Sequence, residues 1–209
     1  MKRIVLLIAI LLIGVSSFAK VYDFESNDLG WNEIIEKKGE VLIKEGVLYI
    51  EGKNEVVEGS GIWDSFGRIK DELFWKSTCY LPIDVKKSFV IKVDAFAKKI
   101  KEDAGFGIIF NYKDNKNFEM FCITATTVFY WRFENGTLVG DRDDRIKFQK
   151  KKKADVSLVV EKTFDNVSFI VDDVHVLELP YVDYKYRGFG FFAIGEQTIT
   201  FDNLETIIK

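Results

Sequence analysis

Few side chains in this sequence could carry out chemistry, and none sits in a catalytic string. His175 is the only histidine. It alternates with Val174 and Val176, which predicts a strand position facing solvent. A lone histidine without a matching nucleophile motif argues against a triad. Neither Cys79 nor Cys122 has a nearby Cys or His to complete a zinc site. Glu119 is the one acid of the string NFEMFCIT, and Phe121 and Ile123 occupy the alternate positions where a second carboxyl would have to lie. Retaining glycoside hydrolysis needs two carboxyls about 5 Å apart. No catalytic residue is therefore expected, and the chain leans towards not being an enzyme.

Binding is the better-supported chemistry. In Gly105–Asn111, alternation puts Phe106, Ile108 and Phe110 on one face, expected to be core. Gly105, Gly107, Ile109 and Asn111 fall on the other, a glycine-lined floor that lets something approach the backbone. In Val128–Phe133, Phe129, Trp131 and Phe133 share a face and are expected in the core, which leaves Tyr130 and Arg132 on the outer face. An aromatic ring beside a planar donor suits a sugar. Glu119, expected opposite the core, could accept hydrogen bonds from hydroxyls. The expected ligand-binding set is Asn111, Glu119, Tyr130 and Arg132. Trp63 and Trp75 are further loop or strand-edge candidates.

No cofactor is expected, although calcium has two possible homes. Asp141-Arg142-Asp143-Asp144 clusters three carboxylates but interleaves arginines and lacks a hand-like loop. Asp202 and Asn203, near Asp23 or Glu25, form the second. Lys150–Lys153 reads as a solvated turn, with attraction to anionic polysaccharide or lipid headgroups as the minority reading.

The elements that must position these residues are strands. Val41–Ile50 predicts a hairpin turning at Glu45-Gly46. Strands are expected over 73–81, 88–97, 105–112, 118–124, 128–133, 156–161, 167–171, 174–179, 188–194 and 198–208. Asn135-Gly136 is a strong hairpin dipeptide, and Asp172-Asp173 joins two more strands. Short helical pieces are expected only at Asp28–Ile35 and Ser65–Lys70. About a dozen evenly spaced strands predict an all-β, two-sheet antiparallel β-sandwich.

The first nineteen residues read as a secretory signal peptide. Lys2 and Arg3 precede the apolar run Ile4–Ile13, and Ser17-Phe18-Ala19 supplies small residues at the cleavage point. The run is too short for a membrane span, and no transmembrane segment is expected after cleavage. Residues 20–209 are expected to form one domain in the periplasm or outside the cell. The formal charge of −3 loses two positive charges with the leader. An acidic chain offers no electrostatic case for nucleic acid. The chain is 47% hydrophobic and holds nineteen phenylalanines, enough to fill the space between two sheets. The two cysteines could pair in an oxidising compartment, but buried free thiols are the stronger expectation.

In order, YDFESNDLGWNE, GVLYIEG, FVIKVDAFAKK, DAGFGIIFNYKDNKNFEMFCIT, WRFENGTLVGD, VSLVVEKTFDNVSFIVDDVHVLEL and YRGFGFFAIGEQTITFDNLETI span nearly all of the chain after the leader. Their order and spacing resemble the concanavalin A-like lectin/glucanase superfamily, and within it the laminin-G-like and 3-keto-disaccharide-hydrolase-type domains. The resemblance implies a jelly roll in which the closing TFDNLE strand returns beside YDFE. It implies a carbohydrate-binding, adhesive or accessory module, with some enzymes in the group. The glucanase E-x-D-x(x)-E string and the legume-lectin metal loop are missing here. The expected function is a secreted, non-catalytic module that recognises carbohydrate on the outer face. The alternatives are a sugar-processing hydrolase of related fold and an envelope protein-interaction or structural domain.

Overall fold

Period-two alternation of apolar residues becomes strand after strand. A computed structural model describes residues 18–54, 73–98, 104–145, 154–180 and 185–209, without the side chains of 18, 142–145 and 154. Trp63, Lys150–Lys153, the piece at Ser65–Lys70 and the leader up to residue 17 lie outside the described residues. The strands are β1 (Phe18–Tyr22), β2 (Ile34–Glu36), β3 (Gly39–Lys44), β4 (Val47–Gly52), β5 (Phe74–Tyr80), β6 (Phe89–Ala97), β7 (Gly105–Asp114) and β8 (Asn117–Ile123). They continue with β9 (Thr127–Glu134), β10 (Thr137–Arg145), β11 (Ala154–Lys162), β12 (Asn166–Val171), β13 (Val174–Pro180), β14 (Gly188–Ile194) and β15 (Gln197–Ile208).

Two antiparallel sheets result. One runs β13-β12-β11-β6-β15-β4-β3-β2, with β1 paired to the far half of β15. The other runs β10-β9-β8-β7-β14-β5. The closing strand returns beside the first, but of YDFE only Tyr22 pairs with it, opposite Leu204, while Phe24 bridges to Gly46. The hairpin at Glu45-Gly46 turns through positive φ at both residues, and so does Asp172-Asp173, the geometry of a type I′ turn.

The core lies between the sheets. Leu48, Ile50, Ile91, Val93, Leu158, Phe169 and Phe201 enter it from the nine-stranded sheet; Phe106, Ile108, Phe121, Ile123, Phe189 and Phe191 enter from the six-stranded one. Rings stack across the gap, Phe191 on Phe201 at 4.5 Å and Phe121 on Phe169 at 4.6 Å. Such offset pairs add to what area burial alone gives. Trp75 belongs here too: it lies on the edge strand β5, but its ring is core, which corrects its reading as a binding candidate. It is buried, with its ring against the cross-strand pair Gly39 and Gly52.

The expected helix at Asp28–Ile35 is absent. Asn27 instead accepts from the Trp31 backbone N–H at 2.6 Å and donates to the Trp31 carbonyl at 2.9 Å, while Gly30 takes φ +68°. Trp31 is drawn inward to stack on Phe191 at 5.4 Å, so the chain cannot wind into a helix. Next to it, Asn32 covers the β5 edge. Its side chain accepts from Thr78 N–H at 2.7 Å and donates to the Lys76 carbonyl at 3.2 Å. This imitates a strand where an open edge would invite pairing.

A second apolar cluster is built from the six-stranded sheet and the adjoining Leu73. Leu73, Ile109, Phe118, Met120, Cys122, Phe133, Phe192 and Ile194 are buried, and Phe74, Tyr112, Phe129, Trp131 and Leu138 pack against them half-buried. These strand residues alternate with the inner ones, so they line the outer face of that sheet. The six-stranded sheet is thus apolar on both faces.

Candidate functional site

The structure brings Asn111, Glu119, Tyr130 and Arg132 together. Glu119 is 1% exposed. Asn111 Nδ2 donates to its Oε1 at 2.8 Å, and the Tyr130 hydroxyl donates to its Oε2 at 2.8 Å. Arg132 stands directly opposite Glu119 across β8–β9 and pairs with Glu134. Burial raises the proton affinity of Glu119, and the two hydrogen bonds and the Arg132 charge pull it back. Burial and the neighbouring carboxylate together push the Tyr130 hydroxyl well above its ordinary range.

The face of this quartet is opposite to the expected one. Glu119 shares its strand face with Phe121 and Ile123, and Tyr130 with Val128, all directed into the space between the sheets. Phe129, Trp131 and Phe133, expected in the core, point to the outer face. Alternation defines two faces of a strand but does not say which one is covered. In a sheet apolar on both sides, the aromatic count gives the wrong answer. The acid tolerates its inward position because both carboxylate oxygens have donors.

Asn111 reaches the quartet through a bulge. It adopts φ +49°, and the β7–β8 register shifts between Phe110 and Asp114. Asparagine is among the few residues that accept this conformation readily. The bulge turns its amide towards Glu119, and its Oδ1 accepts from Lys185 N–H at 3.2 Å and Tyr186 N–H at 3.0 Å. Asn111 therefore ties the segment before β14 to the buried acid.

The glycine floor also has an internal explanation. A Cβ on Gly107 would collide with the Phe121 carbonyl, and one on Gly190 with the Ser77 carbonyl. What approaches these glycines is the neighbouring strand, so their presence does not call for a ligand.

The other candidates separate. His175 is exposed on β13, as expected. Cys79 is buried in the inter-sheet core and Cys122 under the outer cluster, both as free thiols. Burial pushes the Cys79 thiol up to about 12 and raises Cys122 as well. Their strands, β5 and β8, are separated by β14 and β7, roughly 14 Å at the usual strand spacing. No bridge can span that.

Asp141–Asp144 form part of edge strand β10 rather than a loop, with Asp141 opposite Trp131 and Asp143 in register with Phe129. Asp202 lies opposite Asp94, and Asn203 donates to Asp94 at 3.1 Å. Glu25 instead sits against Gly46. Among the described residues no group of three His, Cys, Asp or Glu side chains could hold a metal ion. No described helix is long and apolar enough to cross a membrane.

Two antiparallel sheets around an aromatic core define a jelly-roll β-sandwich. No protein-family model and no curated protein sequence matches the chain. Solved structures do. A Bacillus subtilis protein of unknown function with a galectin-like fold aligns with TM-score 0.58 and 11% identity, over 92% of this chain and 100% of that one. A native glycosidic hydrolase aligns with TM-score 0.56 and 10% identity, over 93% and 95%. The Bacteroides ovatus xyloglucan PUL GH43B aligns with TM-score 0.56 and 12% identity, over 90% of this chain and 38% of that one. At these identities the likeness establishes the fold.

Proposed function

We propose that this chain is an exported, non-catalytic module that binds carbohydrate on the outer face of its six-stranded sheet, around Phe129 and Trp131. The observation that carries the reading is the second apolar cluster, with half-buried aromatic side chains on a face outside the inter-sheet core. Phe129 and Trp131 are half-buried there, while the cluster they pack against is buried. Aromatic rings bordered by polar groups suit the apolar faces of sugars.

In this reading Asn111, Glu119 and Tyr130 form the support beneath the surface. They hold β8 and β9 in register, and Arg132, a third exposed, is the member that reaches solvent. The non-catalytic part is supported by Glu119, whose oxygens are both engaged by protein donors. Among related jelly rolls, the segment order favours the laminin-G-like and 3-keto-disaccharide-hydrolase-type domains. The leader pattern at residues 1–19 favours export to the periplasm or medium.

The test is tryptophan fluorescence of the purified chain titrated with a panel of polysaccharides and oligosaccharides, with and without calcium. A saturable shift that Trp131→Ala weakens at least tenfold is expected. A flat response from a folded chain would overturn the reading and move the outer face to a protein partner. Amino-terminal sequencing of protein recovered outside the cytoplasm checks export, with Lys20 as the expected first residue.

A further inference from the structure

We infer that Tyr80 and Tyr112, on either side of Gly188, hold one neutral sugar unit at the open end of the outer face. The inference rests on the carbohydrate reading above, but not on Phe129 or Trp131. The middle of the face is closed. Phe74 on β5 and Phe118 on β8 stack at 6.3 Å over the two strands between them, and the neighbouring Ile109, Met120 and Phe192 are fully buried. Tyr80, the last residue of β5, is instead 65% exposed. Gly188 stands opposite Tyr80 on one side and Tyr112 on the other, so the three form one row across β5, β14 and β7. Tyr80 alternates with the inward Cys79, and Tyr112 packs on the outer cluster, which places both rings on the outer face. Gly188 must lack a side chain because a Cβ would meet the Tyr112 carbonyl. The result is a notch between two tyrosines whose backbones are roughly 10 Å apart at the usual strand spacing.

The rim of the notch is made of neutral hydrogen-bonding groups. The Tyr112 hydroxyl donates to Asn115 Oδ1 at 2.9 Å and reaches Thr78 across β14. The Thr78 hydroxyl donates to Asn32 Oδ1 at 3.2 Å. Tyr112 and Thr78 therefore offer acceptor oxygens, while the Asn115 amide and the Tyr80 hydroxyl offer donors. A sugar laid on the Tyr80 ring places its apolar face on the aromatic surface and its hydroxyls towards these groups. The charges nearby are engaged or turned aside. Asp114 accepts from Lys116 N–H and from Asn117 Nδ2, each at 2.8 Å. Arg187 precedes Gly188 and bonds through its carbonyl to the inward Leu81, so alternation directs its side chain to the opposite face. A uronate or sulfate would give up water for a neutral rim and lose affinity.

The experiment titrates the full chain by calorimetry with neutral glucan, xylan and mannan oligosaccharides and with oligogalacturonate. A neutral oligosaccharide should bind, and Tyr80→Ala should weaken it about tenfold. Tyr112→Phe, which keeps the ring, should weaken it about threefold. The same oligosaccharide should slow nitration of Tyr80 by tetranitromethane, read by mass spectrometry on the unaltered chain. Urea unfolding verifies that each variant remains folded. Glycan binding that Tyr80→Ala leaves unchanged and that gives Tyr80 no protection would overturn the inference while the carbohydrate reading stands. Preference for oligogalacturonate would overturn it too. Binding of no glycan by the folded chain would overturn both.

Discussion

Tyr130→Phe removes a single hydroxyl and keeps the ring that packs 6.3 Å from Phe110 and 6.0 Å from Phe169. What is lost is the 2.8 Å hydrogen bond to Glu119 Oε2. Glu119 is almost fully buried, so water cannot replace that donor in place. An unsatisfied buried acceptor costs about 1–3 kcal/mol, more when charged. For a chain of this size, that lowers Tm by roughly 2–4 °C per kcal/mol. The partner substitution Glu119→Gln behaves differently. Its amide oxygen still accepts from Asn111, and its nitrogen donates to the Tyr130 oxygen. The buried charge disappears.

The folded state raises the proton affinity of Glu119 through burial. Its stabilising contribution is therefore complete below the unfolded value and lost as pH rises through the folded one. Glu119→Gln should match the parent in acid and exceed it in stability near neutrality. Tyr130→Phe should be most damaging near neutrality and milder in acid. Urea unfolding of the parent, both single variants and the double variant at pH 4 and pH 7 gives the coupling directly. A Tyr130→Phe penalty that is small and independent of pH would refute the view that this hydroxyl supports a buried carboxylate.

Asp173→Gly should stabilise the chain by no more than about 1 kcal/mol, because glycine adopts φ +64° at no steric cost and aspartate at a small one; thermal unfolding reads it. Asp172 should be kept, since its carboxylate accepts from Ser157 N–H at 3.0 Å. Gly107→Ala should cost roughly 1–3 kcal/mol or more, seen as a lower urea midpoint, because the added methyl meets the Phe121 carbonyl. Neither cysteine should react with a thiol reagent at neutral pH until the chain is unfolded. Oxidation should form no intramolecular bridge on a non-reducing gel, given the positions of Cys79 and Cys122.

Strand positions and turn dipeptides were legible because period-two alternation and Gly, Asn and Asp turns are local signals. The hairpins at Glu45-Gly46 and Asp172-Asp173 formed where expected. β10 was harder to read. Its Asp-Arg-Asp-Asp-Arg run resembles a loop, but at a sheet edge such charges discourage further pairing. β2 was hidden by a pattern that resembled helix, until Gly30 and the buried Trp31 pulled the segment straight.

At the candidate site, grouping was legible and orientation was not. Asn111, Glu119, Tyr130 and Arg132 do meet. A carboxylate between two apolar residues suggests an outer face, and only the long-range donors Asn111 and Tyr130 explain why it points inward. A sheet without a polar face was the signal that could have identified the outer aromatics. Phe118, Met120 and Cys122 are apolar at the positions between Glu119, Phe121 and Ile123.

The last strand has a consequence for how the molecule is assembled. β15 separates β6 from β4 and also receives β1. Before residues 197–208 are available, the β2–β4 ladder, the β6-β11-β12-β13 ladder and β1 are three unconnected pieces. Joining β1 to the rest requires residues 18–22 to meet residues 204–208, a closure of high sequence separation, which slows folding. The larger sheet is therefore completed only after residues 197–208 have been made. A nascent chain held in this incomplete state exposes Leu48, Ile91 and Val93 to whatever receives it, and truncation before Gln197 would make that state permanent.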